Sequence, residues 1–539
     1  MATIEHDPGH QVWLITTPAT SYAVHLTPEG ELVNLHWGPV IHLADAVHLV
    51  TQQPSRLRWA ERGADGAAEY PIEAGLRFGK PTLSVVFGDG VREIEWEFDR
   101  AETLTEGNRS ELDLHFQDRT YPLRITLSYR AYEKSDVIER WVELRHTGDG
   151  SGDDPTQGPI DLRIAHSAAW SIPHRDDYRI SHLHGRWAAE TQLDRVPLST
   201  ESSVVLGSRT GTTSHEANPW FAIDDGTAGE EHGEVWSGAL AWSGVWQFVA
   251  HRYANGRAQV SGGFGHDGFS TWRLTPGEEF ETPVFAGLYS AGGFGGSSRE
   301  WHTYQLRHIV PKAGELRPVL YNSWEATWFD INESNQKELA KLAADLGVEL
   351  FVMDDGWFGK RVNDRAGLGD WTPNAERFPA GLAPLADHVH SLGMQFGIWV
   401  EPEMVNPDSD LYREHPEWVY HYPTRRRNER RNQLVLNFAR EDVVEWAYGW
   451  LDKLLSDTAI DYVKWDMNRP FSEPGWAEDQ DNPERLWIDH VRNIYGLLDR
   501  LRQEHPGVAF ESCSGGGGRV DFGILQRTDM VWTSDNTDA

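Results

Sequence analysis

With one cysteine, Cys513, in 539 residues, the chain can form no intrachain disulfide and no thiolate cluster for zinc or an iron–sulfur centre. Long apolar runs are missing too, since no stretch approaches the roughly 18 residues a membrane-spanning helix needs. Basic residues are scarce, 49 against 83 acidic ones, and the formal net charge of -34 repels phosphate backbones and anionic lipid surfaces. Where a secretory signal has a basic start and an apolar run, the first residues carry Glu5, His6, Asp7 and His10. These shortages predict a cytoplasmic protein with no nucleic-acid or membrane partner, no cofactor and no bound metal.

Tryptophan, by contrast, is abundant at 25 residues. Indoles pack on the apolar faces of sugar rings and donate to hydroxyls, although their ordinary place is in cores and interfaces. A chain this long calls for two or more domains.

Two rhythms divide it. From about Trp13 to Tyr289, short runs alternate with period two, as in Leu123-Arg-Ile-Thr-Leu-Ser-Tyr129, and turn clusters such as Gly148 to Asp154 separate them. This is the pattern of a large antiparallel β-sandwich, with no helix of useful length expected. The glycine-rich Gly292 to Ser298 reads as a linker, and Arg299 to Val310 as a connecting helix ending before Pro311. Gly293-Phe-Gly295 lacks the strand-helix-strand setting and the acidic residue of a dinucleotide site. The predicted divisions are a sandwich over 1–298, a linker helix over 299–312 and a catalytic domain over 313–539.

In that last segment apolar strands alternate with amphipathic helices. Val319 to Trp324 leads to a helix with Leu339, Leu342, Ala343 and Leu346 as its buried stripe, and Leu350 to Met353 to one burying Leu382, Leu385, Ala386 and Val389. Further strands are expected at Gln395 to Val400, Tyr462 to Lys464, Val508 to Phe510 and Met530 to Thr533. Six repeated β/α units predict an incomplete (β/α)8 TIM barrel, with a doubly wound open sheet as the alternative.

Each strand ends in polar or aromatic residues: Asn322-Ser-Trp324-Glu325, Asp354-Asp355-Gly-Trp357, Trp399-Val-Glu401-Pro-Glu403, Lys464-Trp-Asp466-Met-Asn468, Glu511-Ser-Cys513 and Trp532-Thr-Ser-Asp535-Asn536. Barrel enzymes place their sites on that face. Converging carboxylates and indoles suit a neutral polyhydroxylated ligand better than a phosphate, and the Gly515 to Gly518 run follows the wrong strand for a barrel phosphate site. Asp354, Asp355, Glu401 and Asp466 could ligate a hard cation, but His388 and His390 sit on a helix and read as solvated or capping residues.

Glycosidic bond cleavage needs two flanking carboxyls. Strand parity puts Lys464 and Asp466 on one side and Trp465 on the other, and a neighbouring lysine keeps a carboxylate ionised, as a nucleophile requires. Asp535, near the last strand, is the candidate proton donor. On these grounds alone Glu401, Glu403 and Glu511 stay open.

The motifs Lys464-Trp-Asp-Met-Asn468 and Trp532-Thr-Ser-Asp-Asn-Thr537 resemble the nucleophile and acid/base motifs of glycoside hydrolase family 36 α-galactosidases. Asn322-Ser-Trp-Glu-Ala326, Asp354-Asp-Gly-Trp-Phe-Gly359, Trp399-Val-Glu-Pro-Glu-Met404, Arg431-Asn-Gln-Leu-Val-Leu-Asn437 and Glu511-Ser-Cys-Ser-Gly-Gly-Gly517 match in the family's order, and His36-Trp-Gly38 and Glu69-Tyr-Pro71 match more weakly. The resemblance implies retaining hydrolysis of terminal α-galactosyl residues in substrates such as melibiose and raffinose, with Asp466 as nucleophile and Asp535 as acid/base. It further implies that Asp354 and Asp355 take the O4 and O6 side and that Trp324 and Trp399 form walls. Arg431, Lys464, Asn468, Cys513 and Gly516 would meet the remaining hydroxyls. It implies a tetramer, and also two more barrel strands and a C-terminal β-domain beyond these 539 residues. A galactosyl-transferring raffinose or stachyose synthase and a non-catalytic galactose-binding fragment are the alternatives.

Overall fold

Alternation in Arg109–Asp118 buries Ser110, Leu112, Leu114 and Phe116 on one face and turns the intervening residues outward. The strand pairs antiparallel with Trp96–Glu106 and Leu123–Tyr132. These belong to a ten-stranded antiparallel sheet opposed by smaller sheets, among them the four strands around Trp246–Arg252 and Ala258–Phe264. Phe248 of the smaller sheet stacks on Phe285 of the larger at 4.7 Å, so apolar faces from the two sheets meet as in a sandwich. The computed structural model describes residues 2–52, 66–73, 78–150, 154–266, 271–472, 474–479 and 481–537.

Two local expectations fail in this half. A ten-residue helix, Leu43–Gln52, interrupts the strands. Ala46 packs there with Val12, Leu14 and Ala23, and Leu43, Val47 and Val50 flank the contact at helical spacing. The glycines from 293 onward are not a linker either: the connecting helix begins at Gly293 and runs to Tyr304, followed by a π turn, Gln305–Ile309. Gly293 has φ +66°, and a Cβ there would fall 2.4 Å from the Gly229 carbonyl oxygen. Glycine is needed for close packing, which composition alone mistakes for flexibility.

Six strands, Leu320–Asn322, Leu350–Met353, Gln395–Val400, Tyr462–Trp465, Ala509–Ser512 and Met530–Val531, form one parallel sheet whose spatial order is the chain order. A doubly wound sheet reverses its strand order at a switch point; this one never does, as a partial barrel requires. The helices after these strands include Ala383–Ser391, Glu441–Asp457 and Leu486–Glu504.

The stripe expected on the first barrel helix, Glu333–Asp345, is displaced. Gln336, Ala340 and Ala343 are buried, while Leu342 is 60% and Leu346 85% exposed. The helix presses its small residues against the second strand and the following helix, and the first strand has a paired neighbour on one side only.

Candidate active site

Strand parity delivers Lys464 and Asp466 to one side. Trp465 turns the other way and gives its indole N–H to buried Glu403 at 2.9 Å. Glu403 also binds His490 and Arg519, which outweigh its burial and hold its carboxyl down at about 2. It is a structural anion behind the strands.

Asp466 is buried and accepts from the Trp399 indole at 3.0 Å, the Asn468 side-chain amide at 2.6 Å and the Met467 backbone N–H at 2.9 Å. Burial alone would push its carboxyl up. The Lys464 ammonium, these donors and the Arg431 charge prevail and hold it below its ordinary value. Lys464 itself reaches Asp354 at 3.1 Å and lies over the Trp532 ring. Burial disfavours its charge, but Asp354 and neighbouring acidic groups keep it firmly protonated.

Asp354 also accepts from the Asn322 amide at 2.6 Å. Asp355 is gripped by Arg361, whose Nε and Nη2 reach its two oxygens at 2.7–3.1 Å. Such a fork fixes orientation as well as charge. Cys513 is buried beside them, and burial and the Asp466 charge push its thiol well above its ordinary range.

Glu401 is wholly buried. It accepts the Asn468 backbone N–H at 2.7 Å and the Gln433 amide at 2.9 Å. Burial, then the neighbouring Asp466 charge, raises its carboxyl to about 8. Gln433 arrives through a short pairing of Met404–Val405 with Leu434–Val435. The same segment carries Arg431 at φ +54° and Asn432 at φ +57°, left-handed backbone that is strained for residues other than glycine and concentrated at functional sites.

Asp535 closes the arrangement. Trp532 donates its indole N–H to one carboxylate oxygen at 3.1 Å, and Trp187, from the sandwich, donates to the other at 2.7 Å. Two more sandwich residues grip the glycine loop. His215 donates to the Gly515 carbonyl at 2.7 Å, while Glu190 accepts from the Gly517 N–H at 3.3 Å and the Ser534 hydroxyl at 2.5 Å.

These groups surround a cavity of about 750 Å³, a size suited to a small ligand. Trp324, Asp354, Asp355, Trp399, Arg431, Lys464, Asp466, Asn468, Cys513 and Asp535 all line it. Gly516 does not. A Cβ there would stand 2.7 Å from Glu190 Oε1 and 2.9 Å from the Asp535 nitrogen, at φ +83°, so this glycine permits close packing and Gly515 borders the cavity instead. The site therefore joins a buried, ionised carboxylate, a second carboxylate between two indoles, and a polar wall of carboxylates, amides and cations.

The Melibiase family model matches residues 279–539, and the model of the glycosyl hydrolase family 36 N-terminal domain matches residues 30–275. The chain belongs to glycoside hydrolase family 36. It is 35% identical to α-galactosidase AgaA of Geobacillus stearothermophilus over 565 residues, covering 100% of this chain and 76% of that protein. It is 40% identical to the probable α-galactosidase G of Aspergillus terreus over 501 residues, covering 90% of this chain and 64% of that relative. A variant of AgaA solved in complex with raffinose superposes with a TM-score of 0.91 at 34% identity, covering 98% of this chain and 75% of that one.

Within this family 36 chain, the motif-bearing strand ends were legible and the sandwich side of the cavity was not. Trp187, Glu190 and His215 lie in turns between strands, where no hydrophobic period marks a functional residue. Arg361 was missed because it follows its strand by a loop; the signal available was a cation a few residues beyond Asp354-Asp355. Glu511 stays behind the cavity, bonded to the Tyr462 hydroxyl.

Proposed function

We propose that the chain carries the retaining α-galactosidase chemistry of its family, with Asp466 as nucleophile and Asp535 as acid/base. One observation carries the assignment of roles: the two carboxyls border one cavity in different settings, Asp466 buried among donors beside Lys464 and Asp535 reachable at the cavity edge between two indoles. A carboxylate so placed attacks, and one within reach of the leaving oxygen exchanges a proton.

In the first half-reaction an Asp466 oxygen bonds to the anomeric carbon as the bond to the glycosidic oxygen breaks, and Asp535 gives its proton to that oxygen. In the second, Asp535 takes a proton from water, whose oxygen replaces Asp466 on the anomeric carbon. Two inversions retain the α configuration. Asp354 and Asp355, positioned by Lys464, Asn322 and Arg361, accept hydrogen bonds from the hydroxyls on the O4 and O6 side. Trp324 and Trp399 bound the ring, and Arg431, Asn468 and Cys513 face the other hydroxyls. Raffinose, bound by the AgaA variant, is a substrate of the class this pocket fits.

The test is hydrolysis of nitrophenyl α-galactoside and raffinose by the 539-residue chain and by Asp466→Asn. The unaltered chain is expected to release galactose with retained configuration, and the variant to lose roughly 10⁶-fold in kcat, as when a catalytic nucleophile is removed elsewhere. Undiminished turnover in Asp466→Asn would refute the assignment. Oligosaccharide products exceeding free galactose would make the chain a transferase.

A further inference from the structure

The carboxylate of Asp466 is held on the cavity side by Trp399 and Asn468. The backbone that carries it is held from behind the sheet, where the residues immediately before and after it lead to one carboxylate. Trp465, fully buried, gives its indole N–H to Glu403 Oε1 at 2.9 Å. Met467, also buried, sets its sulfur 3.6 Å from Arg519 Nη1, and that nitrogen donates to the same Glu403 oxygen at 2.9 Å. Arg519 follows the glycine loop, whose Ser514 hydroxyl donates to the Met467 carbonyl at 2.8 Å and whose Gly515 N–H reaches an Asp466 oxygen at 3.3 Å.

His490, on the helix Leu486–Glu504, closes the set. Its Nε2 donates to Glu403 Oε2 at 3.0 Å, since a carboxylate only accepts, and its Nδ1 lies 3.1 Å from the Tyr420 hydroxyl. Donors from a strand end, a loop and a helix thus converge on one planar group, which cannot tilt without breaking a charge-assisted bond. Arg519 depends on it most: its Nε and Nη2 find no acceptor among the described residues, and Glu403 is its one ion-pair partner there. Glu403 itself lies outside the cavity lining, whereas Glu401, two residues earlier, borders the cavity and meets Asp466 through Asn468. The segment 401–403 therefore supports the strand end that carries Asp466 on both faces.

We propose that Glu403 is a positioning residue for the nucleophile: without touching substrate, it fixes the placement of Asp466 by holding the preceding residue directly and the following one through Arg519. This rests on the α-galactosidase reading, in which Asp466 attacks the anomeric carbon, and adds to it a group behind the barrel sheet.

The test uses the 539-residue chain and an activated fluorogalactoside, which leaves its galactosyl group on Asp466 as an adduct followed by mass spectrometry. Trp465→Phe removes one donor to Glu403 and leaves no charge unmatched. It should slow labelling at saturating reagent about tenfold or more, the cost of a misplaced attacking group. The galactose inhibition constant should move less than about threefold, because what is lost acts on attack and not on binding. A chain with Glu403→Met and Arg519→Met together buries no unpaired ion, a replacement that folds commonly tolerate. Labelling should be slow there too, and adding Trp465→Phe should slow it by less than about twofold more, since the indole has already lost its acceptor.

Trp465→Phe labelled as fast as the unaltered chain would overturn the proposal. So would a loss of galactose affinity equal to the loss in labelling, which marks a general loosening of the pocket, or a further tenfold loss from Trp465→Phe in the methionine background, which would mean that the indole acts independently of Glu403. If the unaltered chain takes no label at Asp466, the reading of function fails and the proposal with it; if it is labelled and the variants match it, the proposal alone fails.

Discussion

Glu401 and Asp466, two buried carboxyls, are bridged by one residue: Asn468 gives its backbone N–H to Glu401 at 2.7 Å and its side-chain amide to Asp466 at 2.6 Å. Two adjacent negative charges in so dry a place are costly, and the pair settles with one proton between them. Asp466, beside Lys464, stays ionised, while Glu401 keeps the proton up to about pH 8. The raised value follows from burial first and Asp466 second, so neutral Glu401 anchors the Asn468 backbone without adding charge beside Asp466, the proposed nucleophile.

A pH dependence follows. Because the folded-state pKa of Glu401 is raised, its contribution to stability is fully present below the unfolded value near 4.5 and is lost as pH climbs through about 8. Glu401→Gln, which imitates the neutral acid, should flatten the decline in thermal unfolding temperature between pH 5 and 9. The ratio of its kcat to that of the unaltered chain should rise about tenfold from pH 7 to pH 9, as the native Glu401 ionises. Parallel profiles for the two proteins would show that Glu401 does not titrate in this range.

Arg361 and Asp355 form a buried fork, with a further bond from Arg361 Nη1 to Asn406 at 3.0 Å. Lysine preserves the charge but offers one point donor in place of a planar pair. Arg361→Lys should therefore weaken galactose inhibition roughly tenfold, about 1.4 kcal/mol, by freeing Asp355 to tilt. The kcat on an aryl galactoside, which on the proposed mechanism depends on Asp466, should change by less than about threefold. Inhibition constants unchanged from the native protein would mean Asp355 needs no such support.

The sequence revealed the barrel half of the site because function there falls at strand ends, and strand ends are marked by a change of period. Lys464, Trp465 and Asp466 alternate sides as parity requires. The exposed Leu342 and Leu346 show where the same rule stops: helical spacing identifies an apolar stripe, but which neighbour exists to cover it is a tertiary fact. Trp187 meets Asp535 across 348 positions of chain, and no local periodicity encodes that meeting. Gly516 belongs to the loop the motif marks, yet its role depends on how closely Glu190 approaches across the fold, which no local pattern encodes.

Cys513 makes a sharper test of burial than of catalysis. It is 2% exposed, and burial and Asp466 keep its thiol protonated well beyond ordinary working pH. Thiolates are the reactive form, so maleimide or disulfide reagents should modify the native protein at least ~100-fold more slowly at pH 8 than the denatured chain. Rapid native labelling would indicate that the strand-end loop opens.

Glu190 couples the sandwich to the loop that carries Asp535, the proposed acid/base. It is buried, its acceptor oxygens serve the Ser534 hydroxyl and the Gly517 N–H, and Asp535 follows Ser534 directly. Removing that acceptor takes a partner from three donors, the Ala188 and Gly517 N–H groups and the Ser534 hydroxyl, a cost of about 1–3 kcal/mol that the loop relieves by shifting. A shift of even 1 Å at a proton-transferring group is expensive in rate, whereas the proposed galactose-binding residues on the earlier strands would stay as they are. Glu190→Ala should therefore lower kcat on raffinose by roughly 10- to 100-fold and leave galactose inhibition within about threefold. Glu190→Gln, which keeps one carbonyl oxygen in place, should recover most of the loss. If Ala and Gln variants were equally impaired, the negative charge of Glu190 rather than its hydrogen bonds would be what steadies Asp535.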